Sequence, residues 1–158
     1  GGNNERRDAP KLMIDFVHEI AQYARITRGK TNFLVIPQNG ADLIADWTYP
    51  DAPDPAAEAA AQKARYFPDI DAIGAEDTFF FGNADVNNPY RPQTDTIGLL
   101  DQFRDGGKKV LCTDYLTKAK KIKKLYRVAR ARGYVPYATI RDLDHLTINK
   151  GFPPDCAP

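Results

Sequence analysis

The sequence predicts an α/β fold of parallel strands alternating with helices, about four βα units, and three observations carry that prediction. Short apolar runs of strand length alternate with longer segments at helical spacing. Helical segments open at Asp8-Ala-Pro10, Pro55 and Thr94 or Asp95, and two of them close at glycines, Gly106-Gly107 and Gly133. Each strand also ends in polar residues: Gln38-Asn39, Glu76-Asp77, Asp114-Tyr115 and Arg141-Asp142. Strands joined through helices are parallel with right-handed crossovers, so these four polar ends share one edge of the sheet.

In chain order, residues 1–10 form a polar, charged segment expected to be flexible, residues 11–146 the α/β domain, and residues 147–158 an irregular, Pro-rich tail. Asp8 and Pro10 suit the start of a helix to about Arg28, with Leu12, Met13, Phe16, Val17, Ile20 and Tyr23 on its inner face. Phe33–Ile36 reads as the first strand, buried on both faces. After a loop through Asp54, Pro55–Tyr66 is Ala-rich and helical by propensity. The second strand, centred on Ala72–Ala75, runs into Glu76 and Asp77 and then an aromatic run and an Asn- and Pro-rich loop. A helix from Thr94 carries Ile97, Leu99, Leu100 and Phe103 and stops at Gly106-Gly107. The third strand is Lys109–Thr113. Thr117–Arg132 is a basic helix with Ala119, Ile122, Leu125, Tyr126 and Ala129 inward, and Tyr134–Ile140 is the fourth strand.

The composition closes several routes. With 22 basic and 21 acidic residues, no global field points to nucleic acid or to an acidic membrane. No apolar run approaches the length of a membrane span, and no secretory leader is visible at the start. Two cysteines, Cys112 and Cys156, and two histidines make neither a disulfide framework nor a metal cluster, so no metal or cofactor is expected. No Gly-rich phosphate loop is present. The basic helix keeps an apolar stripe and reads as a solvated outer helix, not a nucleic-acid surface.

The carboxylates at the shared edge carry the chemistry. Glycoside hydrolysis uses two acids, one held protonated and one ionised. Glu76 has the most apolar strand behind it, which suits it to the general-acid role. Asp77, Asp114 and Asp142 stand at the same edge. The ring of Tyr115 can stack on a sugar, and Gln38 and Asn39 can orient hydroxyls or an amide. Capping of a turn is the alternative for Asp142 and Asp144, and an ordinary Asn-Gly turn is the alternative for Gln38-Asn39.

Ile36-Pro-Gln-Asn-Gly40, Ile73-Gly-Ala-Glu-Asp77, Asp114-Tyr115 and Arg141-Asp-Leu-Asp144, in this order, resemble the carboxyl-terminal half of the glycoside hydrolase family 114 domain. That family comprises endo-α-1,4-polygalactosaminidases built on a (β/α)8 barrel. The opening helix, Met13 to Arg25, is similar to the helix after that barrel's fourth strand, and the resemblance runs from Ala9 to Leu146. It implies that Glu76 is one of two catalytic carboxylates, the other lying on a fourth strand that this sequence lacks. It implies that Gln38, Asn39, Asp77, Asp114, Tyr115, Arg141 and Asp142 are substrate-binding. The implied substrate is an amino-sugar polymer, and the implied parent protein is secreted or at the cell surface. Four strands of a barrel leave two open edges and an apolar face. At about 25 cal/mol per Å2 such a face rivals a domain's whole stability. The expected partner is therefore a second copy in a homodimer or the missing amino-terminal half of the barrel. Loss of hydrolysis with retained carbohydrate binding, or a purely assembly role, are the alternatives.

Overall fold

The structure, a computed structural model, describes residues 8–152. Residues 1–7 of the expected amino-terminal segment, and residues 153–158 of the expected tail with Cys156, lie outside the described residues. The chain divides into two compact units, residues 1–72 and 73–158.

In the first unit, α1 spans Ala9–Gln22 and opens on Pro10, whose missing N–H costs nothing in a first turn. A π-helical turn, Tyr23–Thr27, extends it. Short 3-10 turns at Ala41–Ile44 and Asp46–Thr48 lead to α2, Pro55–Tyr66. Asp54 caps α2, its Oδ1 accepting from the Ala57 N–H at 3.0 Å. The helix α1 buries Ile14, Val17 and Ala21, a stripe continued by Ala24 in the π turn. It packs against α2, where Ala59 and Tyr66 are buried.

Two expectations fail here. Of the six residues assigned to the inner face of α1, only Val17 is buried; Leu12, Met13, Phe16, Ile20 and Tyr23 are exposed. The helix has two apolar faces, and the Ala-rich α2 accepts the one whose smaller residues allow close approach. The expected strand Phe33–Ile36 does not form. Val35 spends its N–H on the Asp71 carboxylate at 2.7 Å and its carbonyl on the Asp71 N–H at 2.9 Å. Arg25 then holds both ends of that arrangement, donating to the Phe33 carbonyl at 3.1 Å and to Asp71 at 2.7 Å. Only Val35 of the run is buried, whereas a strand covered on both faces needs neighbours on each side.

The second unit is regular. The strands β1 (Ala72–Glu76, beginning at the unit boundary), β2 (Lys109–Tyr115) and β3 (Val135–Thr139) form a parallel sheet in the order β1-β2-β3. Thus three of the four expected strands form. The register pairs Leu111 with Val135, Thr113 with Tyr137 and Tyr115 with Thr139. The crossovers are α3 (Thr94–Asp105) and α4 (Ala119–Arg130). On β2, Val110, Cys112 and Asp114 are buried while Leu111 and Thr113 are half-buried, the period of a sheet covered better on one face. Ile97, Leu99, Leu100 and Phe103 of α3 and Leu125, Tyr126 and Ala129 of α4 are buried as expected, whereas Ile122 is half-buried and Ala119, also expected inward, is exposed in the first turn of α4. Pro136 is tolerated because β3 is an edge strand. The segment after β3 folds back on it: Asn149 donates to the Ala138 carbonyl at 2.8 Å, and the Thr147 and Thr139 hydroxyls pair at 2.8 Å.

Candidate functional site

Three adjacent parallel strands bring Glu76, Tyr115 and Arg141 together at the sheet's carboxyl edge. Glu76 is the last residue of β1, Tyr115 the last of β2, and Arg141 lies two residues beyond β3. Open parallel sheets bind ligands outside this edge. The Tyr115 hydroxyl donates to Glu76 Oε1. The Arg141 guanidinium lies over the Tyr115 ring, 4.0 Å from its centroid, and donates to both Asp77 oxygens at 3.0 and 2.9 Å. One side chain from each strand end therefore fixes the next.

Burial, the hydrogen bond to Glu76 and the Glu76 charge together push the Tyr115 hydroxyl up, so it remains a donor at any physiological pH. Burial works to lower the Arg141 guanidinium, but its bond to Asp77 and the surrounding negative charge raise it on balance. Asp77 reaches Arg141 from a left-handed backbone conformation, φ 51°. Gln93 braces that turn by donating to the Asp77 carbonyl at 2.9 Å, while the Asp77 N–H bonds the Thr113 carbonyl at 3.0 Å.

Asp114 faces the protein interior. Fully buried, it accepts from the Phe80 N–H at 2.8 Å and the Phe79 N–H at 3.1 Å, and so ties the segment after β1 to β2. Burial pushes its carboxyl up to about 6, against the pull of those two N–H groups. The neighbouring Cys112 thiol, 3.6 Å from Asp114 Oδ2, is pushed well up by burial and by that carboxylate. Asp142 and Asp144 are exposed, and Asp144 pairs with His145 at 2.6 Å. A groove of about 440 Å3 in this unit is lined by Leu116, Thr139, Ile140, His145, Thr147 and Asn149, among others.

Gln38 and Asn39 belong to the first unit. Both are exposed on a left-handed turn, Asn39 φ 60° and Gly40 φ 73°, beside a groove of about 370 Å3 shared with Met13, Val17, Leu43 and Tyr66. No group of three or more His, Cys, Asp or Glu residues that could hold a metal occurs among the described residues. No helix among them is long and apolar enough to cross a membrane.

The sequence reading did not single out Gln93 or the two asparagines that shape the edge. Asn87 Oδ1 accepts from the Thr117 and Lys118 N–H groups at 3.0 and 3.1 Å, capping the start of α4 from outside. Asn88, buried, closes its own loop by bonding the Ala84 N–H and carbonyl at 2.9 and 2.8 Å. The Asn-rich composition marked this loop, but not which backbone groups it would satisfy.

No family model matches the sequence. An uncharacterized protein of Deinococcus radiodurans is 29% identical over 150 residues, covering 94% of this chain and 42% of that protein. The uncharacterized protein MJ1477 of Methanocaldococcus jannaschii is 31% identical over 148 residues, 86% of this chain and 37% of the relative. An uncharacterized protein of Thermotoga maritima is 26% identical over 158 residues, 94% of this chain and 43% of the relative. The chain thus spans about two-fifths of the length of the curated relatives it matches.

Proposed function

We propose that this chain supplies one of two catalytic carboxylates, Glu76, to a glycoside hydrolase of the family 114 type acting on an α-1,4-linked galactosamine polymer. The observation that carries the reading is the linked set of Glu76, Tyr115, Arg141 and Asp77 across three adjacent strand ends. Tyr115, held protonated, orients the Glu76 carboxylate, and Arg141 keeps Asp77 and the Tyr115 ring in place. The chain is read as the carboxyl-terminal half of a (β/α)8 barrel in a secreted parent protein. The second carboxylate comes from the other half. The state of the remaining acids supports that division of labour: Asp77 is paired with Arg141 and Asp114 is turned inward.

The same observation favours a second reading for the chain by itself, carbohydrate binding without cleavage. Cleavage and binding assays with polygalactosamine on the full-length protein and on Glu76→Gln separate the two. Turnover lost by a factor of 10^3 or more, with binding kept, supports the hydrolase. Unchanged turnover overturns the assignment of Glu76, and binding without turnover in the unsubstituted protein supports the binding reading.

A further inference from the structure

The outer face of α4 gathers positive charge that its surroundings do not answer. Residues 117–132 hold eight Lys and Arg residues and no acid, so against a whole-chain charge of +1 the remainder carries −7. Other helices carry acids beside their cations: Lys11 pairs with Glu58 at 2.7 Å, Arg65 with Asp15 at 2.5 Å and Arg104 with Asp101 at 2.5 Å. Among the described residues, Lys120, Lys123 and Arg127 have no acidic partner. Lys120 and Lys124, like Lys123 and Arg127, are like charges four residues apart, a spacing that weakens a helix. Lys118, Lys120 and Lys121 also crowd its amino-terminal end, where the helix dipole favours acids. Lys121 has a structural use there, donating to the Asn87 and Asn88 carbonyls at 2.6 Å each. For the others, a face that merely meets water gains nothing from this arrangement.

The cations border a concavity. A groove of about 480 Å3 is lined by Lys120, Lys123, Arg127 and Arg130 and by the rings of Tyr126 and Phe152, whose centroids are 4.5 Å apart. The Arg130 guanidinium lies 5.1 Å from the Tyr126 centroid, and Lys124 Nζ lies 3.3 Å from that of Tyr90, an exposed ring in the loop after β1. Lys120, Lys124, Arg127 and Arg130 follow one another at steps of about 4.5–6 Å along the helix axis. Duplex DNA presents a charge about every 1.7 Å, a far denser row than this face can neutralise, and its length would carry it past the net-negative remainder. A flat anionic bilayer meets the cationic rim but not the rings inside the groove. A sugar chain with one anionic group per ring matches the charge step, and its apolar ring faces can rest against Phe152. We propose that this groove binds an anionic polysaccharide, one carrying carboxylate or sulfate groups along its chain. The groove shares no residue with the Glu76 site, so the inference stands whether or not Glu76 is catalytic. A galactosamine polymer, cationic when its amines are protonated, is repelled by this face.

Binding to the full chain is measured with two anionic glycans, polygalacturonate and dextran sulfate, and with inorganic polyphosphate, single-stranded DNA and phosphatidylglycerol vesicles as comparators. At least one glycan should bind, with an affinity that falls about tenfold or more between about 50 and 200 mM salt. Lys123→Glu with Arg127→Glu should weaken that binding about tenfold or more without lowering the melting temperature, because both side chains are exposed. The neutral pair Lys123→Gln with Arg127→Gln should fall between that variant and the wild type. Phe152→Ala should weaken glycan binding several-fold and leave polyphosphate binding unchanged. Binding of neither glycan, or glycan binding that survives both pairs of substitutions, overturns the proposal. Tighter binding of DNA or of the vesicles overturns it too, by making the face a nucleic-acid or membrane surface. A Phe152→Ala protein that binds every anion as the wild type does also overturns it, because charge alone is then being read.

Discussion

The two units solve the same problem unequally. In residues 73–158 each crossover helix brings a single apolar face, and that face finds its sheet: Phe103 and Leu125 are fully buried. In residues 9–72 a helix with two apolar faces has one of them covered, by α2 and the short turns beside it, so Ile14 is fully buried while Phe16, two residues on, is mostly exposed. Apolar content is therefore no measure of how complete a core is. What counts is whether each apolar face has an element of the right kind beside it.

The sharpest break in that comparison is Phe103→Ala. Removal of a fully buried ring from α3 should cost about 3–5 kcal/mol by denaturant unfolding. A loss under 1 kcal/mol would mean that the second unit is as loosely covered as the first. The next effect comes from Asp114. Its native carboxyl is raised to about 6 by burial, so the native state holds a proton where the unfolded chain has lost it. The stabilisation is full below the unfolded value near 3.8 and is lost as pH rises through about 6. Across that window the wild type should lose on the order of 3 kcal/mol relative to Asp114→Asn, which cannot titrate. Equal pH slopes in the two proteins would contradict the buried placement of this carboxylate.

Smaller effects probe the loop that frames the strand ends. A Cβ on Gly82 would lie 2.6 Å from Asn88 Oδ1, the atom that closes the loop. Gly82→Ala should therefore destabilise by about 1–3 kcal/mol, and faster amide exchange at Ala84 would place the damage. Arg141→Ala removes a half-exposed pair with Asp77, so stability should change by under about 1 kcal/mol. Its distinguishing readout is the Tyr115 ring, whose fluorescence and proton shifts should change as the guanidinium leaves its face.

The second unit was legible because period and burial agree there. Thr94–Asp105 stops where Gly106 indicates, although Gln93 and not Thr94 holds its cap position, and Ala72–Glu76, Lys109–Tyr115 and Val135–Thr139 fall on the apolar runs. The convergence of Glu76, Tyr115 and Arg141 followed from parallel topology alone. The links among them did not, because they depend on side-chain reach across strands that share no sequence proximity. Asp114 misled for a related reason. Its place at a strand end was readable, but its direction was set by the Phe79 and Phe80 N–H groups, which need a partner once the chain leaves β1. The first unit failed on a different point. Phe33–Ile36 has the composition of a buried strand, yet composition cannot supply the neighbours that a strand requires.

The smallest effect sharpens the comparison furthest. Ile26, 72% exposed in the π turn, touches little that its removal would expose. Ile26→Glu should leave the unfolding free energy within about 0.5 kcal/mol of wild type, although it deletes a large apolar side chain. The equivalent substitution in the longer Thermotoga maritima relative should be costly if a further segment covers this helix face there, because it then buries a charge without a partner. A neutral result in this chain beside a destabilised relative would show that this helix position belongs to a core in the relative. Equal neutrality in both would mean that the stripe is surface in the relative as well.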